Sequence, residues 1–231
     1  MPRFLRNFIE LFFPQTCCVC GTPLVGDEDE ICIRCLLSLP EALTSINDNN
    51  FVKKRFIGRV PIEHCTALLL YKRKSNAQKI LHQIKYYGNE KLAITMGRQL
   101  GLHLKGSSLF NDVDLIIPVP LHRSKERKRG YNQSLRLCEG IAQTFPKPIV
   151  SDNLIRIQRT DSQTHKTRIQ RLDNMNGVFA IKKPEILKNK HILLIDDVIT
   201  TGATTEACCN VLRNIEGIRI SIAALAVSGD T

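Results

Sequence analysis

The residues best suited to chemistry lie in ILLIDDVITTGATT, from Ile192 to Thr205, where two aspartates precede a run of small hydroxylated residues. Adjacent carboxylates such as Asp196 and Asp197 accept hydrogen bonds from two neighbouring ribose hydroxyls. Thr200, Thr201, Gly202, Ala203, Thr204 and Thr205 let a backbone approach closely and offer hydroxyl and amide donors at a helix start, where phosphate binds. The element that must position them is a strand. Ile192 to Ile195 form a short apolar run after Lys190 and His191, as expected of a strand buried in a parallel sheet. The aspartates are then expected to emerge at its carboxyl end, where open α/β sheets bind ligands.

Apolar strand, two acidic residues, the apolar spacer Val198 and Ile199, then TTGAT together resemble the 5-phosphoribosyl-1-pyrophosphate (PRPP) signature of type I phosphoribosyltransferases. A paired-aspartate strand end by itself also serves as a helix cap or a Mg²⁺ site. The whole order is what gives the match its specificity.

Cys17 and Cys20 form one CxxC and Cys32 and Cys35 a second, with Gly21 directly after the first. Two such knuckles complete a closed, tetrahedral Cys₄ zinc site of the structural kind, with no open position for catalysis. Disulfides or redox dithiols are the alternative, which a reducing compartment disfavours. Cys18 leaves the ligand set open, since using it in place of Cys17 gives CxC; the two-residue spacer favours Cys17. Cys65 and Cys208 read as core thiols.

The length of 231 residues accommodates one sizeable α/β domain and a small appendage, and 33 basic against 22 acidic residues leave a net charge of +11. Such a charge calls for an anionic partner without choosing among phosphate ligand, nucleic acid and membrane surface. Near the N-terminus, Phe4, Phe8, Leu11 and Phe12 recur at helical spacing in a stretch too short to span a bilayer. No secretory cleavage site follows, so a cytoplasmic protein without an integral membrane segment is expected.

A polar, turn-rich linker is expected to end near residue 60, followed by a strand at Cys65 to Lys72. Two amphipathic helices, broken at Tyr87, Gly88 and Asn89, occupy residues 76 to 104, and a strand runs from Val113 to Val119. The next segment, LHRSKERKRGYNQS, reads as a loop whose Arg123, Lys125, Arg127, Lys128 and Arg129 fit either pyrophosphate or a polynucleotide backbone. Gln133 to Phe145 reads as a helix. The polar stretch Arg159 to Phe179 is the candidate lid, with Gln163, Lys166 and Arg168 able to reach a ligand; His165 reads as a solvated side chain. Tyr71, Tyr86, Tyr87 and Tyr131 lie among cations, a mixture that could stack bases between phosphate contacts.

The order of cysteine knuckle, YKRKSNAQKILHQIKYYGN, IIPVPLHRSKERKRGYNQS, RTDSQTHKTRIQRL and LLIDDVITTGATT is similar to that of the ComF family of competence proteins, over nearly the whole chain. That resemblance implies an α/β fold with a type I phosphoribosyltransferase-like parallel sheet flanked by helices and a small N-terminal zinc knuckle. The expected division of the chain is a zinc-finger region with a short N-terminal helix at 1–45, a linker at 46–62 and a phosphoribosyltransferase-like domain at 63–231. The resemblance implies PRPP contacts at Asp196, Asp197, Val198, Ile199, Thr200, Thr201, Gly202, Ala203 and Thr204, the aspartates being the catalytic pair. Pyrophosphate or DNA contacts fall to Arg123, Arg127, Arg129, Tyr131, Lys166 and Arg168, and structural Zn²⁺ to Cys17, Cys20, Cys32 and Cys35. Mg²⁺ accompanies PRPP, keeping several waters. The family further implies action on incoming single-stranded DNA in natural transformation or DNA uptake, beside a helicase and inner-membrane channel components. A nucleobase-salvage phosphoribosyltransferase, acting on a nitrogen acceptor, is the alternative.

Overall fold

The structure is a computed structural model that describes residues 14–42, 44, 47–157 and 178–229. Its centre is a four-stranded parallel sheet. Strands β1 (Cys65–Tyr71), β2 (Leu115–Pro118), β5 (His191–Ile199) and β6 (Arg219–Ser228) lie in the order β1-β6-β5-β2. All three pairings are parallel, so the carboxyl ends share one edge. A two-stranded antiparallel ribbon stands apart from it, made of β3 (Leu154–Arg156) and β4 (Phe179–Ile181).

Parallel strands need both faces covered, and the alternation of side chains supplies two cores. On β5, Leu193 and Ile195 join one apolar cluster while Ile192 and Leu194 join the other. The first cluster is closed by α3 (Asn76–Tyr86), α4 (Glu90–Lys105) and α6 (Gln133–Thr144). The second lies under α7 (Ala203–Leu212) and the short α2 (Phe51–Lys54).

The break between α3 and α4 falls where the sequence places it. Gly88 takes φ +68°, and the Asn89 side chain accepts the Leu92 amide at 2.9 Å to cap α4. Helices α4 and α6 approach through glycines: a β-carbon on Gly97 would stand 2.3 Å from the Leu137 carbonyl, and one on Gly140 would stand 2.1 Å from that of Ile94.

Three elements differ from the sequence reading. The segment after β2 is a helix, α5 (Arg123–Arg129), in place of a loop; His122 caps its start and Gly130, at φ +84°, ends it. Strand β5 runs on through both aspartates to Ile199, because β6 continues to pair with it there. The stretch expected to be a linker carries α2 and buries Val52 and Phe56 completely beneath the sheet.

The cysteine region, which carries the short helix α1 (Ile33–Leu37), is likewise tied to the sheet-bearing part. Val19, Ile31 and Cys35 share the cluster that holds Ile80 and Leu81 of α3, and Lys79 Nζ donates to the Val19 carbonyl at 3.1 Å. Asn89 donates to Glu30 at 2.7 Å, and Arg98 pairs with Asp29 at 3.0 Å. Among the described residues no helix is long and apolar enough to cross a membrane.

Candidate functional site

The site is built at the carboxyl edge of the sheet. Asp196 and Asp197, expected as adjacent acceptors beyond the strand, instead sit within β5, and its pleat sends them to opposite faces. Asp196 turns toward α7, where its Oδ2 accepts the Thr205 hydroxyl at 3.2 Å and its Oδ1 accepts the Asp197 amide at 2.8 Å. Only 8 % of Asp196 is exposed; burial first, and then the charge of Asp197, push its carboxyl up to about 7. Asp197 turns toward α3, where Lys85 Nζ meets its Oδ2 at 3.0 Å.

The threonine turn follows. Thr200, Thr201, Ala203 and Thr204 are exposed, while Gly202 is buried at φ +78° as the residue before α7. A β-carbon there would stand 3.0 Å from the Phe56 ring, so glycine is required both by backbone conformation and by space. The first amides of a helix have no partners within it, and α7 presents its own toward this turn. Ile199 is buried and Val198 half-buried, so these two offer backbone where their side chains serve the cores.

Two arginines outside the signature brace the turn. Arg55 donates to the Thr200 carbonyl and, at 3.0 Å, to the Ser228 hydroxyl; Arg59 donates to the Thr201 carbonyl at 2.9 Å and pairs with Glu206 of α7. Their spacing of four residues in a basic run was the available signal. For Lys85 the signal was a cation one helical turn beyond buried Leu81, in line with the apolar stripe.

The basic segment arrives at the same edge. Pro118 lies opposite Ile195, and the Val119 amide donates to the Ile195 carbonyl at 2.8 Å, so β2 delivers α5 beside the aspartates. Arg127 and Lys128 are exposed. Arg129 donates to Gln133 at 2.8 Å and lies 5.9 Å from the centre of the Tyr86 ring. Asn132 caps α6 and donates to the Val119 carbonyl at 3.1 Å. Tyr131 is buried, its hydroxyl donating to the Ile84 carbonyl of α3, so it anchors the segment and offers no face to a ligand. Arg123 is the first residue of α5. Lys166 and Arg168 lie outside the described residues, as do Gln163 and His165. That stretch follows β3 and precedes β4.

The ligand atoms of Cys17, Cys20, Cys32 and Cys35 all lie within 4.8 Å of one another, and Cys20 and Cys32 are 3.7 Å apart. Tetrahedral thiolates about 2.3 Å from zinc stand about 3.8 Å apart, so the cluster fits that ion. It does not fit a disulfide, whose sulfurs are about 2 Å apart. The turn at Gly21, φ +75°, lets its amide donate to the Cys17 carbonyl at 2.9 Å and brings Cys20 back to Cys17. Cys18 is not part of this group and packs half-buried against the core. Among the described residues this is the one group of three or more His, Cys, Asp or Glu arranged to hold a metal. Asp196 and Asp197 belong to no such group.

Residues 132–230 match the phosphoribosyl transferase domain model. The chain is 30% identical over 139 residues to a DNA utilization protein, YhgH, of Salmonella typhimurium, covering 58% of this chain and 60% of that protein. It is 28% identical over 152 residues to competence protein F of Haemophilus influenzae, covering 64% and 66%. With competence protein ComFC of Bacillus subtilis it shares 30% over 90 residues, 39% of this chain and 34% of the other. The alignment thus spans about three-fifths of the length of the first of these relatives. With its parallel sheet, its Cys₄ cluster and these matches, the chain is similar to the competence and DNA utilization proteins of the ComF family and carries a phosphoribosyltransferase-like domain.

Proposed function

We propose that this protein binds Mg·PRPP at the carboxyl edge of its sheet and handles single-stranded DNA in competence or DNA utilization, on the cytoplasmic side of the membrane. The observation that carries this reading is the meeting, at one edge, of the aspartate pair, the exposed threonine turn and the basic helix α5. The 5-phosphate sits on the turn from Thr200 to Thr204, against the amides that open α7. Asp197 takes a ribose hydroxyl, and Asp196 holds the strand end in place through Thr205 and the Asp197 amide. Arg127 and Arg129 face pyrophosphate or the DNA backbone. Mg²⁺ supplies charge neutralisation on the pyrophosphate.

The relatives' names support the DNA role, and the phosphoribosyl transferase match supports the ligand. A helicase and inner-membrane channel components are the proposed partners. Calorimetric titration of Mg·PRPP into zinc-loaded protein, wild type beside Asp197→Asn, tests the pocket. Binding lost in the variant is expected; equal binding by both proteins would place PRPP elsewhere. Turnover is a separate matter, read as pyrophosphate release in the presence of nitrogen acceptors.

A further inference from the structure

The last turn of α3 places three consecutive residues against three parts of the site. The Ile84 carbonyl accepts the Tyr131 hydroxyl, Lys85 pairs with Asp197, and Tyr86 faces Arg129. Tyr86 and Tyr87 nevertheless leave 64% and 69% of their surface exposed. The His82 ring, one turn earlier and also exposed, lies 4.6 Å from that of Tyr86 and 5.8 Å from that of Tyr87. Three aromatic rings with a guanidinium beside them, at the rim of an anion site, are far more surface than a helix end needs for its own stability. Large exposed aromatics of this kind mark a contact surface.

We propose that Tyr86, Tyr87 and His82 form a stacking platform for unpaired bases of single-stranded DNA, with Arg129 and the exposed Arg127 and Lys128 taking the flanking phosphates. The proposal rests on the single-stranded DNA reading above and assigns that ligand a place. Charge chooses the occupant: the cations beside the rings, in a chain of net charge +11, match a polyanion that also carries flat apolar faces. Duplex DNA keeps its bases stacked on one another and has none free for the rings. The base platform adjoins the sugar pocket because Lys85, between the buried turn and the tyrosines, is bound to Asp197.

The chain contains no tryptophan, so Tyr86→Trp introduces a single indole at the platform while preserving an aromatic face. The zinc-loaded 231-residue chain is titrated with a labelled oligothymidylate and, separately, with Mg·PRPP. The expected result is that oligothymidylate quenches the indole fluorescence of the Tyr86→Trp variant. Alongside it, Tyr86→Leu/Tyr87→Leu weakens oligothymidylate binding about tenfold or more and leaves Mg·PRPP binding unchanged. Because both tyrosines are exposed, the double variant retains its fold, checked by its unfolding midpoint. If it binds the oligonucleotide as wild type does, the platform is overturned while the wider DNA reading stands. If wild type binds Mg·PRPP but no oligonucleotide at any salt concentration, the DNA reading falls and the platform falls with it.

Discussion

Lys85 of α3 and Asp197 of β5 meet at 3.0 Å, with only 18% and 14% of their side chains exposed, and so join the helix layer to the site across a largely dry contact. Charges so little hydrated depend on each other. Lys85 also lowers the proton affinity of Asp196 on the far side of the strand. Replacing Lys85 with Met is expected to destabilise the fold by on the order of 2 kcal/mol, read from urea unfolding. It should also move the Asp196 carboxyl above its value of about 7, weakening Mg·PRPP binding near neutral pH and restoring it as pH rises. A binding profile that keeps its wild-type pH dependence would dissociate Lys85 from the pair.

Asp196 makes stability depend on pH in an unusual direction. Its carboxyl has an ordinary value of 3.8 and stands at about 7 in the folded protein. Between those values the folded state keeps a proton that the unfolded chain has lost. Stability contributed by this group is therefore full below the lower value, falls as pH rises through the window, and is constant above it. Asp196→Asn is expected to remove that slope, seen by comparing unfolding midpoints of the two proteins at pH 5 and pH 8. Parallel curves would mean that Asp196 ionises normally in the fold.

Gly202 and Phe56 set the shape of the threonine turn. Gly202→Ala must hold an alanine at φ +78° and place its β-carbon 3.0 Å from the ring. A cost of about 1–2 kcal/mol follows from the backbone conformation, with Mg·PRPP binding weakened because the turn shifts. Adding Phe56→Leu relieves the contact and leaves the backbone cost, so the double variant should recover part of the binding. Full binding in Gly202→Ala alone, by calorimetry, would show that the turn tolerates the change.

Zinc should be required well beyond the knuckle. Since Val19, Ile31 and Cys35 lie in the cluster that also holds α3, chelation is expected to lower the unfolding temperature of the whole chain and to speed amide exchange along Ile80 to Ile84. Metal analysis should find one zinc per chain in Cys18→Ser and none retained in Cys17→Ser or Cys20→Ser. Loss of zinc from Cys18→Ser would reverse the ligand assignment.

Much of the architecture was legible in the chain. The spacing of Ala77, Ile80, Leu81 and Ile84, then of Leu92, Met96, Leu100 and Leu104, marks two helices on either side of Gly88, because an apolar face at helical period has to be buried. The paired CxxC knuckles and the DD–TTGAT order are equally local, since each depends on residues a few positions apart. β6 escaped the sequence reading, though it lies at the centre of the sheet between β1 and β5. Its RISIAALAVS is apolar on both faces and shows no alternation to read.

What the sequence by itself determined is which residue types stand at the site: two carboxylates, a turn of small hydroxylated residues, a basic run and four thiols. Only the tertiary structure decided how they are shared out. Strand pairing with β6 prolongs β5 and so parts Asp196 from Asp197 across the sheet. Packing of distant segments then brings Lys85, Arg55 and Arg59 to the edge, withdraws Tyr131 into the core and leaves Tyr86 and Tyr87 outside. These choices depend on contacts between residues far apart in the chain, which local propensity and spacing do not encode.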